Sequence, residues 1–131
     1  MDSSLPSAFG LDSRSLLPPE RIISLPEVLG TVVFAPLVET LLLAGTLKLV
    51  ADFTQNPLRL AVCSALIWGV FHGLFGALWF FGTVWSFFVF SCAYLAWRKC
   101  SFSHAYFAAA LPHMLINATA MAALATANAV T

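Results

Sequence analysis

A glutamate, two histidines and an asparagine stand inside stretches otherwise suited to a lipid bilayer. Glu39 is at the middle of an apolar run over about 28–50, His72 lies in a stretch without formal charge from Leu60 to Trp97, and His113 and Asn117 sit in a third run over about 102–125. A carboxylate at the bilayer centre costs at least about 2.5 kcal/mol, so an ionisable group there is a functional signal by default. His113 and Asn117 are four residues apart and share one face of a helix. Singly, each has a plainer role open to it: a buried His is usually a hydrogen-bonded core residue, and an intramembrane Asn often bonds a neighbouring helix. Four such groups on three helices at one depth point to a polar site, and the expectation is that they converge on one cavity.

Such a set suits peptide hydrolysis. Glu39 paired with His72 can activate a water as general base, while His113 and Asn117 offer N–H donors to the developing oxyanion, each worth about 3 kcal/mol in comparable sites. No cofactor is required. An alternative is a zinc centre with Glu39, His72 and His113 as ligands, two His and one carboxylate being a familiar catalytic set. Against it, the residue four beyond His113 is Asn117 rather than a second His, and no HExxH occurs. Buried Glu and His also build proton or ion relays, although four short spans without an internal repeat are poor material for a transporter.

The elements that must position these groups follow from where the charges fall. A hydrocarbon core of about 30 Å takes about 20 apolar residues in a helix. The run 28–50 supplies one span, with Lys48 near enough its end to snorkel, and 52–57 (DFTQNP) reads as a loop. The charge-free stretch from Leu60 to Trp97 is about twice the length of one crossing. It reads as a helical hairpin with its turn near Phe81, Gly82 and Thr83, giving a full span over about 60–81 and a short one over about 83–97. Arg98 and Lys99 close it, and 102–125 makes the fourth span, its second half rich in Ala. The expected fold is therefore an all-α integral membrane protein, about four transmembrane helices in a compact bundle. Residues 26–131 form that membrane core, and residues 1–25 read as an interfacial or extramembrane leader. Gly69, Gly73 and Gly76 offer a seam for close helix approach. Pro36 and Pro112 each remove an amide donor beside the site.

Composition narrows the class. Of 131 residues, 60% are hydrophobic and 9% charged, against about 25% charged in a soluble domain. Six basic residues balance six acidic ones, so there is no electrostatic footprint for nucleic acid. Cys63, Cys92 and Cys100 form no CxxC pair and suggest neither a disulfide framework nor a structural zinc site. Near the span ends, Arg14 and Arg21 stand on one side against Lys48, Arg59, Arg98 and Lys99 on the other. By the positive-inside rule the second side is expected to be cytoplasmic, with both termini on the opposite face.

Three segments also match a family pattern. Residues 34–45 (FAPLVETLLLAG), 68–72 (WGVFH) and 113–117 (HMLIN) resemble, in order, the EExxxR, FxxxH and HxxxN motifs of the CPBP family, the CAAX-prenyl-protease type II and bacteriocin-processing intramembrane proteases. The likeness covers about residues 28–120 and is similar to that family's four-helix core without its additional helices. Thr40 stands where the motif has its second Glu, Ala44 where it has Arg, and Trp68 replaces Phe by another aromatic. The resemblance implies a glutamic-type intramembrane endopeptidase with Glu39, His72, His113 and Asn117 at the site, Trp68 and Thr40 in support, and a membrane-associated protein or peptide as substrate. It also implies a multi-pass protein of a bacterial inner membrane. A member that has lost catalysis and serves as a scaffold, immunity or sorting factor is the other possibility within the family. Oligomeric state is not indicated.

Overall fold

In the computed structural model the described residues run from 23 to 130 and form four helices, with no strand among them. Residues 1–22 of the expected leader, with Arg14 and Arg21, lie outside the described residues. Helix α1 is Leu25–Ala51, α2 is Pro57–Gly73, α3 is Ala77–Trp97 and α4 is Phe102–Val130. Three of them, α1, α3 and α4, are long and apolar enough to cross a membrane. The protein is thus a multi-pass helical bundle, and a lipid bilayer is the environment its apolar outer faces require.

Local chemistry sets the ends. Ser24 caps α1 by accepting from the Glu27 N–H, with Pro26 in the first turn, so the helix starts three residues before the apolar run. Asn56 caps α2 through its side-chain oxygen and the Arg59 N–H at 3.1 Å, and Pro57 occupies the first turn.

The hairpin turn is not at Phe81–Thr83. Chain reversal occurs at Leu74–Gly76, and Gly82 lies inside α3. Gly76 has φ +153° and ψ +147°, a conformation only glycine enters cheaply. Its neighbours Leu74 and Phe75 are as lipophilic as the helices, so hydropathy shows no break there. The amides of Phe75, Gly76 and Trp79 donate to the carbonyls of His72, Gly73 and Gly76. This internal satisfaction lets a turn exist without water. The short arm is accordingly α2, with 17 residues, rather than α3, with 21.

The seam glycines serve the hairpin itself. A Cβ on Gly69 would collide with Val84, and one on Gly73 would lie 3.1 Å from Phe80, so α2 and α3 approach along the first two glycines while Gly76 makes the turn. Trp68 against Phe87 and Gly73 against Phe80, then Phe90 against His113 and Tyr94 against Phe102, show α3 running antiparallel to both α2 and α4. Leu43, Leu47, Leu60, Ala65, Trp68, Phe87, Phe90 and Ala109 form the core. The three cysteines are free and exposed on the outside of the bundle.

Candidate functional site

Measured from the loops at 52–56 and 98–101, at about 1.5 Å per residue, Glu39 and His113 stand about 17–18 Å up their helices and His72 and Asn117 about 22 Å. The depths match, though His72 is not central in its helix. It is the penultimate residue of α2, and it reaches site depth because α2 is short.

Glu39 and His113 meet. His113 Nε2 lies 3.4 Å from Glu39 Oε2, with the His113 side chain 6% exposed and that of Glu39 27%. The Nδ1 of His113 is buried without a hydrogen-bond partner among the described residues. An orphaned donor is costly in such a place, so the proton belongs on Nε2, facing the carboxylate. Phe90 stacks on the imidazole at 4.5 Å between ring centroids and 22° between planes, fixing its orientation.

His72 stands across Phe87, whose ring is 5.7 Å from His72, 5.4 Å from His113 and 4.6 Å from Trp68. His72 is within electrostatic reach of both Glu39 and His113. Its Nδ1 is 3.0 Å from the Trp68 carbonyl. A carbonyl only accepts, so Nδ1 carries a proton, and in the neutral ring Nε2 keeps its lone pair. Trp68 thus supports the site twice, by its carbonyl and by stacking on Phe87. Thr40 is buried beside Glu39 in sequence, and its hydroxyl, like the Trp68 indole N–H, has no partner among the described residues.

Asn117 is tied to α1. Its amide nitrogen donates to the Thr31 carbonyl of α1 at 2.8 Å. The reason lies in α1, which passes through a π turn at Gly30–Phe34, where the Ala35 N–H reaches back to Gly30. With the Ala35 donor used one carbonyl too early and Pro36 having no N–H, Thr31 has no donor in either the α or the π register. Asn117 supplies it. Tyr106 makes a second tie from α4, donating to the Leu37 carbonyl at 2.7 Å. Two cross-helix hydrogen bonds therefore fix α1 against α4 near the Glu39–His113 pair. Thr31, Tyr106, Phe87 and Phe90 escaped notice in the sequence. The signal for Thr31 was Pro36, whose missing N–H orphans a carbonyl a turn earlier.

None of the four residues lines either of two cavities of about 550 and 340 Å³ elsewhere in the bundle. Among the described residues no three His, Cys, Asp or Glu side chains are grouped to hold a metal ion. The arrangement brings together a carboxylate, an imidazole N–H held against it and a second imidazole with a free lone pair. Compared with protein-family models, curated proteins and solved structures, the chain matches none of them.

Proposed function

We propose that this chain is an intramembrane endopeptidase of the CPBP type, in a bacterial inner membrane, cleaving a peptide bond of a membrane-associated protein or peptide. The observation that carries the reading is the Glu39–His113 contact of 3.4 Å inside an apolar bundle, with His72 within electrostatic reach. A carboxylate and two imidazoles are costly to place there, which favours a functional role over a purely structural one.

In the mechanism, a water between Glu39 and the free Nε2 of His72 attacks the peptide carbonyl carbon, and Glu39 takes its proton. Once Glu39 is protonated, the His113 Nε2–H is released from the carboxylate and donates to the oxyanion. The C–N bond then breaks, the leaving nitrogen takes the proton from Glu39, and an acid and an amine result. One N–H of Asn117 is committed to Thr31, so any part it plays at the oxyanion rests on the other. Thr40 and Trp68 shape the surroundings of Glu39 and His72.

The test compares peptide termini in membranes of cells expressing the wild-type chain or Glu39→Gln, with the helical content of both proteins checked after purification. Termini made by the wild type fall at least about 100-fold in the variant if Glu39 is the base, and the fold survives because a buried amide costs less to desolvate than a carboxylate. Identical termini in both membranes identify a non-catalytic scaffold, immunity or sorting factor. Stoichiometric zinc in purified wild type, lost in Glu39→Gln, identifies the metalloprotease.

A further inference from the structure

At the loop end of the bundle, well away from Glu39, a cavity of about 550 Å³ opens between α1, α3 and the start of α4, a size at which small-molecule sites are found. Small residues of α1 make room for it: Ala44, Gly45 and Ala51 line it, and nothing lies within 4 Å of where a Gly45 Cβ would be. Its walls are otherwise Leu41, Leu47 and Phe102, and its rim carries Lys48, Arg98 and the Tyr94 phenol. Among the described residues neither cation forms an ion pair with a carboxylate, and the Tyr94 hydroxyl has no hydrogen-bond partner. Lys48 is one turn from the end of α1 and Arg98 caps α3, so both cations stand at the depth where lipid headgroups begin.

We infer that this cavity binds the phosphate headgroup of an anionic membrane lipid, with Lys48 and Arg98 as its cations, Tyr94 as an added donor and the acyl chains along the outer face of α1. An apolar floor with a cationic rim between transmembrane helices is what such a headgroup requires, and the Arg98 guanidinium can take two phosphate oxygens at once. The C-terminal ends of α1 and α3 oppose an anion, but each carries about half a charge, spread over its last turn and partly offset by the N-terminal end of α4. Two full cations prevail. The assignment is independent of the proposed peptidase activity.

The full chain, purified in a nonionic detergent, is titrated with phosphatidylglycerol, with phosphatidylcholine and with inorganic phosphate, and complexes are counted by native mass spectrometry. A one-to-one phosphatidylglycerol complex at least about tenfold tighter than that with phosphatidylcholine is expected, weakened about fivefold by Lys48→Gln or Arg98→Gln. Gly45→Leu, which keeps both charges and projects a bulky side chain from the cavity wall, weakens the complex at least about tenfold, whereas Arg59→Gln, an exposed cation at the same end but off the cavity wall, leaves it intact. Full binding in Gly45→Leu, or equal weakening by Arg59→Gln, overturns the site in favour of bulk attraction. Inorganic phosphate binding as tightly as the lipid overturns the lipid assignment.

Discussion

Replacing Asn117 by Ala removes the only donor that the Thr31 carbonyl has among the described residues, because Ala35 bonds Gly30 and Pro36 has no N–H. Hydrogen bonds between membrane helices average about 0.6 kcal/mol and reach about 1.7, whereas an orphaned buried group costs about 1–3 kcal/mol. Thr31 is half-buried and has no substitute donor among the described residues, so Asn117→Ala should cost about 1.5 kcal/mol, near the overlap of those ranges. Pro36→Ala restores an N–H at residue 36, directed at Thr31 in the π register or freeing Ala35 to bond it in the α register. In that background Asn117→Ala should cost less than about 0.5 kcal/mol, a coupling of about 1 kcal/mol. Reversible unfolding of all four proteins in mixed micelles, followed by tryptophan fluorescence, measures the cycle. Equal cost of Asn117→Ala in both backgrounds would refute the claim that Asn117 repairs the break left by Pro36.

Gly69→Leu should destabilise the hairpin by about 1–3 kcal/mol, since even its Cβ collides with Val84; in the same unfolding assay a neutral result would show that α2 and α3 do not pack along that seam. Gly82→Ala, at a position with nothing within 4 Å of the added carbon and inside a helix, should be neutral or stabilising by up to about 1 kcal/mol, whereas a turn at that glycine would make it costly. Introduced thiols near Gln55 and Ser101 should be labelled from the cytoplasmic side and those near Ser7 and Asn128 should not, and the reverse pattern would invert the topology.

Helix number and the similar depth of Glu39, His72 and His113 were legible because length, absence of charge and depth are properties of composition along the chain, whereas the sequence pairs Glu39 with His72 and the 3.4 Å contact is with His113. The turn was not, since Leu74 and Phe75 continue the hydropathy of the helices they separate. What distinguishes Gly76 from Gly82 is a positive φ, and no count of apolar residues contains that. The partner of Asn117 was hidden for a related reason. Sequence spacing places it on the face of His113, but the π turn in α1 changes the register of every carbonyl before Pro36, and it is the orphaned one that captures the amide. The cap of α1 was readable: Ser24 and Glu27 have the spacing of a capping box, and they place the helix start ahead of the apolar run.

The brevity of α2 has a consequence for the membrane itself. Its 17 residues rise about 26 Å, against about 40 Å for α1 and 43 Å for α4. The turn carries Leu74, Phe75 and Leu78, each more than three-quarters exposed, side chains that belong in hydrocarbon rather than water. A hydrophobic segment shorter than the local bilayer is met by thinning of the lipid around it, which draws headgroups and their water toward the turn and toward His72, one residue before the end of α2. Hydration of that imidazole is then set by acyl chain length as much as by any side chain, and membranes of different thickness would tune the same site differently.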